Sequence, residues 1–228
     1  MAAKLLALLM MLLSLGQDTM NAYVDEMNLG GYLFLVNREY TLSSDYVPQD
    51  LVKPKVQANN NNILLRADAA AALEEMFQAA KEEQALSLVA VSGYRSYGKQ
   101  SVIFSNKVKK VGKTKAMLLV APPGASEHQL GLAMDLGSKK NTSLTESFFN
   151  TPEGKWVAEN CHRFGFIIRY KEEWADITGY AYEPWHVRYV GKEHAARIHE
   201  LDIPFETYVA HLRQARYALL SAQEGGPQ

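Results

Sequence analysis

The chain has 228 residues, enough to bury a core in one domain without disulfides, which excludes a disulfide-framed mini-protein. Hydrophobic residues make up 47% of the sequence and charged residues 21%, so neither a disordered chain nor a multi-spanning membrane protein is expected. With 24 Lys and Arg against 25 Asp and Glu, the net charge is -1. This charge offers no broad positive field for a nucleic-acid backbone, and we expect no nucleic-acid partner.

The first 16 residues contain an uninterrupted apolar run, Leu5–Leu13, which follows Lys4. The run suits the hydrophobic region of a signal peptide and is shorter than the roughly 20 residues of a membrane-spanning helix. We therefore interpret residues 1–16 as an export signal. An apolar helix that packs on the domain and a retained membrane anchor are the alternatives. Residues 221–228 are expected to form a flexible tail, which leaves 23–220 for a single domain.

Elements of the body are predicted from periodicity and from capping residues. Between Leu64 and Gln84 apolar residues recur at helical spacing, which predicts an amphipathic helix with one buried stripe. Thr151-Pro152-Glu153 is typical of a helix start, and this helix should extend to about Phe164. The other predicted helices are Tyr97–Lys110, Lys192–Leu201 and Phe205–Leu220, and the predicted strands are Tyr32–Val36, Leu86–Val91, Phe166–Tyr170 and Pro184–Tyr189. Because no regular βαβ repeat appears, the expected fold class is α+β, with helices packed on a small, mostly antiparallel sheet.

The ligands available for a metal ion are limited by the cysteine content. Cys161 is the single cysteine, so a transition metal would need His and carboxylate ligands. Of the six histidines, His128 and His186 stand in segments rich in Gly, Pro, Trp and acidic residues: Ser126–Asp135 and Tyr182–His186. Two imidazoles and one carboxylate form a common catalytic zinc set, because three protein ligands leave a fourth position open.

Glu183 stands three residues before His186. In an extended or turning segment, this separation lets one side chain bind metal while the other reaches a water at the open position and acts as general base. An isolated Glu-x-x-His pair is, however, more often a surface pair or part of a capped helix. The spacing alone leaves both interpretations open.

The combination of these segments is more specific, because it resembles the zinc D-alanyl-D-alanine carboxypeptidases of the VanY type. Their Ser-x-His-x-x-Gly-x-Ala-x-Asp pattern is matched in full by Ser126–Asp135, and their Glu-x-x-His pattern by Glu183 and His186. The resemblance covers the chain from about Tyr32 to about Val209. Three further matching segments are Ser92–Ser96, Gly165–Tyr170 and Thr178–Tyr189.

The resemblance implies one Zn²⁺ per chain, held on the small antiparallel sheet of a hedgehog-like or D,D-peptidase-like fold. It assigns the zinc ligands as His128, Asp135 and His186 and the catalytic base as Glu183. Arg95 takes the position of the family's substrate arginine, where a guanidinium can pair with a terminal carboxylate or with the anionic tetrahedral intermediate. The same resemblance places two further residues in the substrate pocket, Gln100 and Ser126.

The implied activity is hydrolysis of the terminal D-alanine from peptidoglycan stem peptides by D,D-carboxypeptidase action on the pentapeptide. L,D-carboxypeptidase action on the tetrapeptide is the first alternative. A lysin-type endopeptidase and a non-enzymatic, zinc-holding binding module like the hedgehog domain are the others. The peptidoglycan stem peptide is the expected binding partner, and we expect a monomer without a partner protein. The expected location is extracellular or associated with the cell wall or membrane of a bacterium.

The remaining conspicuous residues are given structural interpretations. His194 and His199 lie among charged residues of a predicted helix, which predicts a solvated face. His162 adjoins Cys161, but neighbours on a helix point in different directions, so they are not expected to form a catalytic pair. Trp185 and Tyr182 are expected either in the core or in the wall of the substrate cleft.

Overall fold

The computed structural model describes residues 22, 23 and 25–224, together with the isolated positions 6 and 10. Except at those two positions, the segment interpreted as an export signal, residues 1–16, lies outside the described residues. Within the described part of the chain, no helix combines the length and the apolar character needed to cross a membrane.

Four strands form a central antiparallel sheet in the order β3–β4–β6–β5, and β1 pairs with β2 in a separate two-stranded ribbon. The strands are β1 Leu51–Val52, β2 Leu65–Arg66, β3 Leu88–Ser92, β4 Ala133–Ser138, β5 Phe166–Ile168 and β6 His186–Tyr189. The α-helices are α1 Ala67–Gln84, α2 Tyr97–Val111, α3 Lys113–Leu119, α4 Pro152–Asn160, α5 Ala175–Thr178, α6 Lys192–Leu201 and α7 Phe205–Glu224. The predicted α+β class with an antiparallel sheet is confirmed.

The two faces of the sheet carry different side chains, apolar on one face and polar on the other, because successive side chains of a strand point to opposite sides. Met134 and Leu136 of β4 and Val187 of β6 enter the main hydrophobic core, which also contains the buried stripe of α1. Asp135 and His186 alternate with them and therefore lie on the opposite face. The apolar core on one face thus supports the polar groups on the other.

A second hydrophobic cluster lies between α6, α7 and the first described residues. Its members include Tyr23, Leu33 and Leu35 from the N-terminal segment and Ile198 and Phe205 from the two helices. These positions are buried to 5% exposure or less. The C-terminal helices and the N-terminal segment therefore pack on each other as well as on the sheet.

The helix starting at Pro152 forms as predicted, because the side chain of Thr151 accepts a hydrogen bond from the N–H of Gly154. The α-helix ends at Asn160, and the chain continues as a 3-10 turn, Cys161–Phe164. Gly165, with φ 85°, ends this turn and leads directly into β5. Cys161 is buried and its thiol is free, and burial raises the pKa of this thiol to about 12.

The predicted strand Tyr32–Val36 is wrong, since this segment is irregular. The carbonyl oxygens of Tyr32 and Phe34 accept hydrogen bonds from one nitrogen of Arg188, both at 2.9 Å. A guanidinium therefore satisfies backbone groups that a neighbouring strand would otherwise pair. The side chains of Leu33, Leu35 and Val36 are buried all the same.

The prediction of a solvated face for His194 is also wrong. His194 is 3% exposed, its Nδ1 lies 2.8 Å from the hydroxyl of Tyr208, and its Nε2 lies 2.9 Å from Glu26. His199, one helical turn further, is exposed as predicted. Helix α7 extends to Glu224 and so includes the first four positions of the segment predicted as a tail.

Candidate active site

Strand pairing brings two of the predicted ligands together. In the antiparallel register of β4 and β6, Asp135 lies directly opposite His186, so both side chains leave the same face of the sheet. His128 comes from a 3-10 turn, Glu127–Leu130, which precedes β4. Its Nδ1 lies 2.7 Å from the carbonyl oxygen of Gly93, and its own carbonyl accepts a hydrogen bond from the N–H of Arg95. The segment after β3 therefore holds the turn against the sheet.

His128, Asp135 and His186 form a compact buried cluster in which one ligand atom from each residue lies within 4.8 Å of the others. Oδ1 of Asp135 lies 3.3 Å from Nε2 of His128 and 3.1 Å from Nδ1 of His186. A backbone carbonyl can only accept a hydrogen bond, so Nδ1 of His128 carries the hydrogen and Nε2 has its lone pair free. The cluster has the geometry and the donor types of a zinc site.

Unsatisfied hydrogen-bonding capacity and charge at this cluster also fit a cation. Nε2 of His128 is buried and forms no hydrogen bond with any residue that the structure describes. Burial and the charge of Arg95 lower the pKa of His128 to about 4, so the ring is neutral at pH 7 and able to bind metal. Burial alone would raise the pKa of Asp135, but the hydrogen-bonding and charged groups around its carboxylate hold that pKa well below its usual range.

Glu183 stands beside the cluster on the loop that leads into β6. Its Oε2 lies 3.9 Å from Nδ1 of His186, and its side chain is 16% exposed. The backbone N–H of Glu183 donates to the carbonyl of Tyr170, and the N–H of His186 donates to the carbonyl of Glu183. Burial raises the pKa of Glu183 to about 7. A carboxyl group that titrates near neutral pH can both take up and return a proton.

The predicted substrate residues lie around the same cluster. Nη2 of Arg95 is 3.6 Å from Oδ2 of Asp135, and its Nε is buried with no hydrogen bond to any described residue. Gln100 donates through Nε2 to the carbonyl of Ala121, while its buried Oε1 has no partner within the described chain. Ser126 is buried directly before the 3-10 turn. Donors and acceptors therefore remain available for a substrate.

All seven predicted site residues line one cavity of about 260 Å³. Trp185 lines this cavity as well, and Tyr182 lines a groove that adjoins it, where it packs edge-on against Phe149. Trp185 is thus a wall residue that also packs against the main hydrophobic core, and Tyr182 is a wall residue of the adjoining groove. Residues of the lining that the sequence did not single out are Ile103, Lys107, Leu119, Val120, Ala121, Glu127, Leu144, Tyr170 and Tyr180.

Comparison with known families matches residues 62–192 to the VanY family model, described as D-alanyl-D-alanine carboxypeptidase. Among curated proteins, YodJ of Bacillus subtilis strain 168 is 49% identical over 80% of this chain and 68% of its own length. The D-alanyl-D-alanine carboxypeptidase of Enterococcus faecium is 34% identical over 82% of this chain. The match spans only 60% of the length of the latter protein.

Solved structures show the same fold. The LdcB LD-carboxypeptidase aligns over 81% of this chain and 88% of its own, with 49% identity and a TM-score of 0.76. A VanY D,D-pentapeptidase from a VanB-type resistance cassette, in complex with Zn(II), aligns over 78% of this chain and 98% of its own, with 33% identity and a TM-score of 0.65. A family match over more than half of the chain, together with these identities, establishes that the chain belongs to the VanY family of D-alanyl-D-alanine carboxypeptidases.

Proposed function

We propose that this protein is a zinc-dependent D-alanyl-D-alanine carboxypeptidase that releases the terminal D-alanine from peptidoglycan stem peptides. The observation that carries the proposal is the position of Glu183 beside the buried His128–Asp135–His186 cluster, in a cavity that also contains Arg95. A purely structural metal site needs neither a free carboxyl group nor an accessible cavity next to it. This arrangement favours an enzyme over a zinc-holding binding module.

His128, Asp135 and His186 would hold the zinc ion through Nε2, a carboxylate oxygen and Nδ1. Zinc bound by these three ligands supplies a Lewis acid that polarises a carbonyl group and lowers the pKa of water. The protein keeps both imidazoles in place, through the Gly93 carbonyl for His128 and through strand β6 for His186. Ligand positions are therefore set by the rigid sheet and not by a loop alone.

Glu183 acts as general base and general acid in this proposal. Its carboxylate takes the proton of the attacking water and later passes it to the nitrogen of the departing D-alanine. The loop that carries it is fixed by hydrogen bonds on both sides, to Tyr170 and to His186. Burial, which raises the pKa of this carboxyl group, favours its uptake of a proton.

Arg95, Gln100 and Ser126 recognise the substrate in this proposal. The guanidinium of Arg95 pairs with an anionic oxygen, either the terminal carboxylate or the oxygen that becomes charged during attack. Its unpartnered Nε and the unpartnered Oε1 of Gln100 provide one donor and one acceptor at the cavity wall. Ser126 adds a hydroxyl on the same wall.

L,D-carboxypeptidase action on the tetrapeptide stem is a second candidate. The LdcB LD-carboxypeptidase is more similar to this chain, at 49% identity and a TM-score of 0.76, than the zinc-bound VanY pentapeptidase, at 33% and 0.65. The two activities cleave a bond to the same terminal residue. They differ in the stereochemistry of the residue before that bond.

Incubation of the purified protein with synthetic penta- and tetrapeptide stems, with and without a chelator, tests both candidates. Mass measurement should show chelator-sensitive loss of one D-alanine from the pentapeptide. Exclusive cleavage of the tetrapeptide would establish the second candidate instead. Internal cleavage of either stem would overturn the carboxypeptidase proposal.

The proposed substrate also bears on where the protein works. Peptidoglycan stems are accessible outside the cytoplasmic membrane, and we propose that residues 1–16 direct export and that 23–220 act as one monomeric domain. Fractionation of cells that produce the full chain should place the activity outside the cytoplasm. Deleting residues 1–16 should retain the protein inside the cell without changing the activity of the purified form.

A further inference from the structure

Behind the candidate metal cluster lies a second group of charges, the buried ion cluster, formed by Glu127, Arg169, Arg188 and Glu206. The side chains of Glu127, Arg169 and Arg188 are 0% exposed, and that of Glu206 is 14% exposed. Burying charges costs free energy unless each is paired and hydrogen-bonded. Nothing in the proposed reaction uses these groups, so their position needs a separate explanation.

The two oxygens of Glu127 have different partners. Oε1 accepts hydrogen bonds from Nε of Arg169 at 2.8 Å and from Nη1 of Arg188 at 2.9 Å. Oε2 lies 3.2 Å from Nε2 of His186. The arginines therefore fix one oxygen of the carboxylate and aim the other at the imidazole. Arg188 is fixed in turn by the carbonyls of Tyr32 and Phe34.

We propose that Glu127 is a positioning residue for metal binding, which makes His186 a ligand through Nδ1 by accepting the hydrogen of Nε2. A carboxylate at pH 7 can only accept hydrogen bonds, so the ring nitrogen beside Glu127 carries the hydrogen. Nδ1 lies 3.1 Å from the carboxylate of Asp135 and carries a hydrogen as well when no metal is bound, but a metal ion held by Asp135 would take the place of that hydrogen, while Glu127 keeps the hydrogen on Nε2. This inference rests on the proposed zinc site and adds a residue, Glu127, that contacts a ligand and not the metal.

The two histidines are thereby set in opposite orientations. A backbone carbonyl, that of Gly93, accepts from Nδ1 of His128, so this ring offers Nε2. The carboxylate of Glu127 accepts from Nε2 of His186, so this ring offers Nδ1. Partners of this kind commonly raise metal affinity by about 10- to 100-fold.

Replacing Glu127 by Gln tests the proposal with little change in volume. Nε of Arg169 and Nη1 of Arg188 still need an acceptor at this position. The glutamine side chain has one acceptor, its amide oxygen, which therefore turns toward the two arginines. The amide nitrogen then faces Nε2 of His186 as a donor, so the ring can hydrogen-bond only as the tautomer with its hydrogen on Nδ1. Nδ1 of this tautomer has no free lone pair for a metal ion.

Glu206→Gln is the matched control, because Glu206 pairs with the same Arg169, at 2.5 and 2.9 Å, from the side away from the metal cluster. Zinc affinity is measured for wild type and both variants by competition with a chromophoric chelator. We expect Glu127→Gln to lower zinc affinity about 10- to 100-fold and Glu206→Gln to change it less than about threefold. Thermal unfolding of the metal-free forms shows how far each variant is destabilised.

Equal zinc affinity in Glu127→Gln and wild type would overturn the positioning role. So would equal losses of affinity in both variants, because the effect would then come from general weakening of the buried ion cluster. Failure of the wild-type protein to bind zinc at all would instead overturn the proposed zinc site.

Imidazole nitrogen NMR of the zinc-loaded wild-type protein provides a test that needs no variant. The proposal requires that His186 bind zinc through Nδ1 and keep its hydrogen on Nε2, while His128 shows the opposite pattern. Zinc on Nε2 of His186 would overturn the proposal even if Glu127→Gln did not fold.

Discussion

Asp135 supplies the negative charge among the three proposed zinc ligands, and it is 3% exposed. We expect Asp135→Ala to lower zinc affinity by more than the roughly 100-fold upper range seen for residues behind the ligands. Metal analysis after dialysis against a chelator and re-addition of zinc measures this loss. Asp45→Ala, which removes an exposed carboxylate, is the control and should bind zinc like wild type. Undiminished zinc in Asp135→Ala would show that the ligand assignment is wrong.

Glu183 has a different expected phenotype from the ligands. Its carboxylate lies 3.9 Å from Nδ1 of His186 and pairs with none of the cluster residues at hydrogen-bond distance within the described chain. Glu183→Gln should therefore retain zinc while turnover falls by at least about 10²-fold, as is typical of a lost general base. Parallel metal analysis and peptide assays check the two effects. Loss of zinc in this variant would identify Glu183 as a ligand, and wild-type turnover would exclude it as the base.

Arg95 is the residue on which selectivity for a free C-terminus is expected to depend. Arg95→Met removes the charge and keeps most of the aliphatic stem, and kcat/KM should fall about tenfold or more, as for a lost charge-assisted interaction of about 1.5–3 kcal/mol. Amidation of the terminal carboxylate should lower kcat/KM on the wild-type enzyme. If Arg95 holds that carboxylate, the two changes combined should cost less than the sum of their separate effects.

Lys107 provides the matched comparison for Arg95, because it is the other Lys or Arg among the described residues that line the cavity. Full additivity of Arg95→Met with amidation would assign Arg95 to the oxygen that becomes charged. If Lys107→Met were then less than additive with amidation, Lys107 would hold the C-terminus. An amidated peptide cleaved as fast as the free acid would contradict carboxypeptidase action altogether.

At the residue scale, sequence patterns predicted which side chains line the cavity but not which buried residues contact the proposed zinc ligands. His128, Asp135, Glu183, His186 and Arg95 all reach one cavity, as their motifs indicated. Their roles remain predictions. Glu127 stands at a position that the Ser-x-His pattern leaves unspecified, so pattern matching gave no reason to select it.

A usable signal for the buried ion cluster was nevertheless present. Arg169 directly follows the apolar strand β5, Arg188 lies within β6 between Val187 and Tyr189, and both side chains are fully buried. Charged residues in such segments are almost never fully buried unless they are paired. Two such arginines therefore indicate buried carboxylates nearby, although sequence alone cannot say which.

At the scale of elements, the segment between β3 and α2 should tolerate little change. A Cβ atom on Gly93 would lie 2.4 Å from the carbonyl oxygen of Leu64, a backbone atom that cannot move aside easily. Gly93→Ala should lower the free energy of unfolding by about 1–3 kcal/mol. It should also lower zinc affinity, because the Gly93 carbonyl accepts the hydrogen bond from His128. Thermal or denaturant unfolding and zinc titration measure both effects.

Gly98→Ala is the control for this prediction. Gly98 lies in the first turn of α2, and no atom of the residues that the structure describes would lie within 4 Å of a Cβ atom there. Alanine at a compatible helical position stabilises a protein by about 0.4–1 kcal/mol, so this variant should be at least as stable as wild type and bind zinc equally well. Equal destabilisation by the two substitutions would contradict the close-approach argument.

Elements were predictable where local periodicity and tertiary packing agree. The predictions for α1, α4 and α6 are confirmed, and α4 begins with the predicted cap. Strand β4 was not predicted as a strand, because its alternation contains only two large apolar residues, Met134 and Leu136, which is too few to distinguish a strand from a loop by periodicity. The strand prediction for Tyr32–Val36 is wrong for a different reason. Its apolar pattern is that of a strand, but distant Arg188 takes its carbonyl groups.

At the scale of the whole molecule, burial of the N-terminal segment explains the misassignment of His194. Tyr23 packs edge-on against its ring, and Glu26 reaches its Nε2. These contacts join residues about 170 positions apart in sequence, as the Tyr23–Glu193 hydrogen bond also does. Charge patterning along a single helix cannot anticipate a partner at such a distance, so a helix face with charged neighbours looked solvated.

Zinc removal should be visible in the stability of the whole fold, because the proposed ligands join β4, β6 and the 3-10 turn before β4. Metal that binds only the folded state stabilises it by RT ln(1 + [Zn]/Kd), which is about 2.7 kcal/mol at a free zinc concentration of 100 Kd. For a domain of this size, each kcal/mol shifts Tm by roughly 2–4 °C, so chelation should lower Tm by about 5–11 °C. Calorimetric scans at several free zinc concentrations measure this dependence.

The Asp135→Ala variant distinguishes specific from nonspecific effects of the metal on Tm. Its Tm should be independent of zinc over the same range, whereas the Tm of Glu183→Gln should rise with zinc like that of wild type, because Glu183 is proposed to act on water and not on the metal.

Cys161 provides an independent probe, since its thiol is buried and has a pKa of about 12. A thiol reagent should therefore label it only on unfolding, and more slowly with zinc than without. Labelling of wild type at a rate independent of zinc, together with an unchanged Tm, would contradict a zinc site that links the turn to the two central strands.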